Sequence, residues 1–373
     1  MKRIIWLLIT FLFLVVIGLF VASKKHDKVI IGAIMPLTGD VASYGIAIKN
    51  GVSLAVEQLN AAGGIRGRNI EIIYEDDKAD PKTGVLAAQK LIFVDKVPAI
   101  IGAVASGVTL AVAPICESNK VILLSPASSS PKLTSAGEFI FRNYPSDELE
   151  GNLVAKFAIA RKYYKAAVLT ANTEYGVGLN KVFSDEFTHI GGKILFNERY
   201  AEGTTDFRTS LTKIKQANTD CIFIVGYSRE LGTLVKQARE LGITKQFLST
   251  VNFYDAQSII TGGAAVDGTI FSSPVFDPKS TNPVMSDFVK AFKSAYGLEP
   301  DVWSAHGYDA MKLLAVAMQH NGLQPTHIKE GLHAITDYPG VSGNTSFDKN
   351  GDVIKPARFL TVSNGQFVPL QTQ

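Results

Sequence analysis

The sequence predicts an α/β fold of two lobes, each built on a doubly wound parallel sheet. Three observations lead there. Short, almost wholly apolar runs alternate with segments of helical spacing from Val29 to about Ala295, the pattern of parallel strands covered on both faces. The alternation breaks near Asn143–Glu148 and then restarts, so there are two βα series rather than one. The chain has 373 residues, which at ~100–200 residues per domain suits two domains.

In order, Val29–Met35 reads as the first strand, rich in β-branched residues, and Ile46–Ala61 as the helix after it. Ile70–Tyr74 is a strand, and Lys82–Phe93 a helix. Ala99–Ile101 and Val121–Leu124 are short buried strands around a helix at Val108–Glu117. The second series has strands at Ala166–Thr170, Lys193–Phe196 and Cys221–Val225, with helices at Gly178–Ile190, Phe207–Gln216 and Arg229–Leu241. Beyond Phe271 the pattern turns helical at Val284–Ala295 and Ser304–Met318. A hairpin is expected last, with strands at Val341–Phe347 and Arg358–Val362 around the turn Asp348-Lys349-Asn350-Gly351. No low-complexity linker separates the series, which suits lobes joined by several short crossings and able to close on a hinge.

Composition narrows the function. Hydrophobic residues make up 46% and charged residues 19%, as in a folded globular chain. Net charge is +3, two units of it from Lys2 and Arg3, so nothing draws the protein to nucleic acid. The basic Met1–Arg3 and the 19 uncharged residues Ile4–Ala22 read as an export signal cleaved after Ser23, or as an uncleaved anchor. In either case the chain from Lys24 onward is expected to work outside the cytoplasm, in the periplasm or its equivalent. Cys116 and Cys221 are expected to be buried, unpaired thiols.

Catalytic signatures are missing. There is no G-x-S-x-G, H-E-x-x-H or G-x-x-x-x-G-K-[ST]. His189, His306, His320, His327 and His333 fit no compact zinc site and are expected to be exposed or capping. Asp348–Asp352 has its glycine at the fourth position, not the sixth, so it reads as a β-turn and not a calcium loop. The chain is read as a binding protein, not an enzyme, with no metal and no cofactor.

Three loops follow strands at the end where open α/β sheets bind ligands: Gly102–Gly107, Ser125–Pro131 and Asn172–Gly176. Small hydroxyl residues and free N–H groups at a helix start receive an anion. Ser106 as an N-cap and Ser128–Ser130 as a turn fit the same residues.

Taken together, these segments resemble the branched-chain amino-acid (Leu/Ile/Val) binding protein family, the type I periplasmic solute-binding proteins of ABC importers. The resemblance is carried by Ile31–Gly39 with Tyr44-Gly45, Asn60–Gly67, Tyr74–Asp77 with Asp80-Pro81, and Ser125-Pro126-Ala127. Glu174-Tyr175-Gly176, Gln237-Ala238-Arg239 with Gly242, and Gly307–Ala310 continue it. It implies a Venus-flytrap of two lobes joined by a three-crossing hinge. Residues 1–23 would be the signal or anchor, 24–146 and 274–355 the first lobe, and 147–273 and 356–373 the second. It also implies a carboxylate held by Ser106, the backbone around Ala127, and Ser129. Tyr44, Tyr175, Tyr227 and Trp303 would wall the pocket, although ordinary core packing also suits these aromatics. The implied partner is an ABC permease, and the implied state a monomer. A membrane-anchored sensory ligand-binding module would use the same fold.

One departure stands out. The family places an acid that pairs with the ligand's α-ammonium where this chain has Val251, followed by Asn252, Phe253, Tyr254 and Asp255. A buried ammonium without its carboxylate costs ~2–5 kcal/mol, roughly 30-fold to a few thousandfold in affinity. Either Asn252, Glu174 or Asp255 replaces the acid, or the ligand is an ammonium-free aromatic or aliphatic carboxylate, whose body Phe253, Tyr254 and Trp303 would suit.

Overall fold

The computed structural model describes residues 28–371; the expected signal at 1–23 lies outside them. Two sheets organise the chain. The first is wholly parallel, in the order β2-β1-β3-β4-β5. Its strands are β1 (Val29–Met35), β2 (Ile70–Asp76), β3 (Ala99–Ile101), β4 (Ile122–Ser125) and β5 (Ile140–Arg142). The second runs β12-β11-β10-β9-β8-β6-β7. It holds β6 (Lys165–Ala171), β7 (Lys193–Tyr200), β8 (Cys221–Val225), β9 (Gln246–Ser249) and β10 (Ile270–Pro274) in parallel. An antiparallel edge pair, β11 (Ala357–Ser363) and β12 (Gln366–Pro369), completes it.

Helices cover both faces. They are α1 (Ala42–Ala61), α2 (Pro81–Gln89), α3 (Ser106–Ser118), α4 (Asp147–Ala160), α5 (Glu174–His189), α6 (Arg208–Gln216), α7 (Ser228–Glu240), α8 (Ala256–Gly262), α9 (Pro283–Tyr296), α10 (Val302–Asn321) and α11 (Pro325–His333). β1 shows why: Ile31, Ala33 and Met35 share a core with Ile48 of α1 and Leu313 of α10, while Ile34 joins Leu91 and Val108 on the other face. Local signals set the helix starts. Asp80 caps α2 through Thr83 N–H (2.8 Å) ahead of Pro81, and Asp301 caps α10 through Ser304 N–H (2.7 Å). α1 and α10 cross so closely that a Cβ on Gly51 would lie 2.0 Å from the Ser304 carbonyl oxygen.

Two expectations need correction. The final hairpin is β11–β12, turning at Asn364-Gly365; residues 341–347 form no strand, only isolated bridges from Tyr338 to Thr345 and from Phe347 to Val353. The turn at Asp348 is real, with Asp348 Oδ1 accepting from Asn350 and Asp352 N–H, but it joins no strands. His306 is fully buried, its Nδ1 2.7 Å from the Val302 carbonyl oxygen, and burial holds its pKa well below the ordinary value. Both cysteines are buried and free, and burial raises each thiol to about 12.

Candidate ligand-binding cleft

The strand orders locate the cleft. In each sheet the chain leaves its first strand to one side and then continues on the other, between β1 and β3 and between β6 and β8. Crevices open at the carboxyl ends of strands at such reversals. The loops after β1, β3 and β4 from the first sheet meet those after β6, β8 and β9 from the second. Between them lies a small cavity of about 30 Å³. Tyr44, Ser106, Ala127, Ser129, Tyr175, Tyr227, Val251, Asn252 and Trp303 all line it, joined by Pro36, Val41, Val104, Ala105 and Tyr144.

The polar end is built from two loops. Gly102 lets β3 turn toward the cleft: its φ is +139°, and a Cβ there would lie 2.3 Å from the Ile34 carbonyl oxygen. Ser106 is not the N-cap of α3; Ala105 occupies that position without a side-chain bond. Instead Ser106 Oγ accepts from the N–H groups of Ser129 and Ser130, at 3.3 Å each, and ties the two loops together. Ser128 turns away, its hydroxyl 2.5 Å from Thr109 Oγ1. Arg142, 1% exposed, supports the loop from below by donating to the Ser129 and Ser130 carbonyls at 3.0 and 2.9 Å. The start of the thirteen-residue helix α3 thus faces the cavity, and orphan N–H groups with the helix dipole favour a carboxylate there.

The rest of the wall is aromatic. Tyr44 meets Trp303 edge-on at 5.2 Å and Tyr227 at 6.0 Å, and Tyr144 stacks on Trp303 at 5.5 Å. Burial raises the hydroxyl pKa of Tyr44, Tyr144, Tyr175 and Tyr227, so these groups stay protonated donors. Tyr44 OH donates to the Asn252 carbonyl (3.3 Å) and accepts from Ser228 N–H (3.1 Å), joining the lobes. Tyr175 OH lies 2.7 Å from Thr250 Oγ1. Tyr144 OH and Trp303 Nε1 are buried without a partner among the described residues, and an unmade bond of this kind costs ~1–3 kcal/mol.

Other pairs hold the lobes face to face: Asp40–Arg229 (2.9 Å), Lys132–Glu174 (2.7 Å) and Ser43–Asp255 (3.0 Å). Two expected substitutes for the family acid are therefore otherwise engaged. Glu174 pairs with Lys132, and Asp255 caps α8 through Gln257 N–H. Asn252 lines the cavity, but its amide donates to the Gly226 carbonyl (3.1 Å). Phe253 and Tyr254 pack on Phe271 in the second lobe's core, away from the cavity. No group of three His, Cys, Asp or Glu side chains suited to a metal occurs among the described residues.

Sequence reasoning missed two acids behind the wall. Asp147 and Glu150 are buried in the first turn of α4, where acids read as ordinary partners of the helix dipole. Glu150 Oε1 accepts from Val251 N–H (3.0 Å) and Ser272 Oγ (2.6 Å), and burial raises its carboxyl to about 7. Asp147 N–H donates to the Ser129 carbonyl (2.8 Å), and burial raises its carboxyl as well.

A family model described as periplasmic binding protein matches residues 28–366. A Leu/Ile/Val-binding protein homolog of Brucella suis is 31% identical over 327 residues, 87% of this chain and 87% of the relative. A leucine-binding protein from Thermotoga maritima superposes with a TM-score of 0.87 at 32% identity, covering 92% of this chain and 98% of that one. The branched-chain amino acid transporter substrate-binding protein from Streptococcus pneumoniae, solved with isoleucine, gives 0.86 at 30% identity, covering 91% and 98%. On the two-lobed fold, the cleft at both strand reversals and these matches, the chain belongs to the periplasmic binding protein family, whose members bind solutes and are not enzymes.

Proposed function

We propose that this protein binds a small carboxylate-bearing solute of the branched-chain amino-acid class between its lobes and delivers it to an ABC permease. The observation that carries this reading is the cavity itself, with the α3 start and the Ser129 loop at one end and aromatic rings around the remainder. The carboxylate is received by Ser106, Ser129 and the backbone at Ala127; Tyr44, Tyr175, Tyr227 and Trp303 enclose the body. Relatives named for leucine, isoleucine and valine support the class. Contacts from both lobes favour the closed state, which the permease recognises. The protein works as an exported monomer. No helix among the described residues is long and apolar enough to cross a membrane.

A second reading rests on Val251. An apolar, fully buried side chain at the family's acid position suits an ammonium-free carboxylate instead. Isothermal titration of protein stripped by unfolding and refolding tests both, using L-leucine and its deaminated twin 4-methyl-2-oxopentanoate. Saturable binding of either, weakened in Ser106→Ala, supports the carboxylate cleft. Binding of neither overturns it.

A further inference from the structure

Burial and mutual repulsion outweigh the one opposite charge that reaches the two buried acids of α4, that of Arg142 on Asp147. Neither Asp147 nor Glu150 takes part in an ion pair among the described residues, and the guanidinium of nearby Arg142 is committed to Asp352 and the Ser129–Ser130 carbonyls. Both Asp147 carboxylate oxygens are buried without a hydrogen-bond partner among the described residues. Glu150 uses one oxygen, Oε1, for both Val251 N–H and Ser272 Oγ. A glutamine at 150 would satisfy the same two donors without burying a charge. An uncompensated buried acid is costly, and two within electrostatic reach of each other cost more.

The pair also lies against the cleft. Spaced i, i+3, the two acids share one face of α4. Val251 N–H donates to the Glu150 carboxylate and the Asp147 backbone N–H to the Ser129 carbonyl; Val251 and Ser129 line the cavity, and the two acids stand directly behind them. Tyr144 and Tyr175, two further walls, feel both carboxylates. The missing counter-charge therefore belongs beside the carboxylate-receiving loops, at the position a ligand's second group would reach.

We infer that Glu150, backed by Asp147, holds the α-ammonium of the ligand in place of an acid at Val251, so that the solute is an amino acid rather than an ammonium-free carboxylate. This rests on the carboxylate reading above and narrows it. An ammonium carries three donors, enough to serve Glu150 and the orphaned Asp147 oxygens together. A divalent cation fits less well, since two carboxylates without a third acid, histidine or thiol make a poor cage. Val251 then has a definite part: its backbone N–H orients the Glu150 carboxylate, while its small apolar side chain adds no competing charge.

The test is the selectivity of Glu150→Gln, which keeps an oxygen for Val251 and Ser272. Titrations with L-leucine and 4-methyl-2-oxopentanoate are run on the native protein and the variant. The inference expects leucine to bind the native protein more tightly, and Glu150→Gln to weaken leucine by at least ~30-fold with little change for the oxo acid. Should the variant fold poorly, leucine binding by the native protein is repeated at pH 7 in buffers of different ionisation enthalpy. Net proton release with leucine, and none with the oxo acid, supports an ammonium meeting Glu150. Equal losses for both ligands, no loss for leucine, or identical proton balance overturns the inference. Binding of the oxo acid but not leucine by the native protein overturns it too, yet leaves the carboxylate cleft standing. Binding of neither removes both.

Discussion

Arg142 and Asp352 form a bidentate ion pair beneath the cleft loop, with Arg142 Nε and Nη2 donating to the two Asp352 carboxylate oxygens at 2.6 and 2.7 Å. The other guanidinium nitrogen fixes the Ser129 and Ser130 carbonyls, so the pair sets which way the loop presents its N–H groups. Truncating one partner of a buried pair costs ~3–5 kcal/mol. Asp352→Ala is therefore expected to lower unfolding stability by about that amount and to weaken ligand binding as the loop loosens. Denaturant unfolding and titration of the same sample check both.

Ser106→Ala removes the oxygen that accepts from Ser129 and Ser130 N–H. It leaves two donors in the cleft unpaired and takes away a proposed ligand contact. A loss of ~1–3 kcal/mol of binding, about 5- to 150-fold, is expected. Calorimetric titration measures it, and a change under twofold would remove Ser106 from the site.

Glu150 gives the unliganded protein a pH signature. Its folded carboxyl is raised to about 7 from an ordinary 4.5, chiefly by burial. Between those values the folded state holds a proton that the unfolded state has lost, so stability falls as pH rises from about 4.5 to 7. The raised Asp147 acts in the same direction. The slope sums to something on the order of 3 kcal/mol, and Glu150→Gln is expected to flatten it. Urea midpoints at several pH values between 4.5 and 7.5 provide the readout.

Arg229 and Asp40 join the lobes at the surface, both well exposed. Exposed pairs contribute ~0–1 kcal/mol. Arg229→Ala is thus expected to leave the melting temperature within a degree or two, while reducing affinity slightly by removing a contact made on closure. A large stability loss would mean that Arg229 does more than bridge the cleft.

Much of the fold was legible because strands buried on both faces are written as unbroken apolar runs. Val29–Met35, Ala99–Ile101 and Cys221–Val225 have the bounds their composition suggests. β5 was not legible: Ile140–Arg142 is three residues long and ends in an arginine whose burial depends on Asp352, far along the chain. The last hairpin was misplaced because Asp348–Gly351 is a sound turn whose flanks form only an isolated bridge, Phe347 to Val353, whereas Asn364-Gly365 is an equally sound turn whose flanks extend the sheet. For the cleft, loops after strands and the resemblance led to nine residues that share one cavity. Phe253 and Tyr254 misled because a three-residue turn swings them into the lobe core. Glu150 was hidden because only the three-dimensional path of β9 brings Val251 to it.

Trp303 offers the most direct test of the central claim. Apart from Trp6 it is the chain's only tryptophan, and it lies in the cavity wall. In protein beginning at Lys24, its fluorescence is followed during titration with L-leucine, beside calorimetry of the same solutions. The account predicts a saturable change with the calorimetric dissociation constant, shifted to weaker binding together with it in Ser106→Ala. Calorimetric binding with silent Trp303 fluorescence and full affinity in Ser106→Ala would contradict it, because the solute would then sit outside the interlobe cavity.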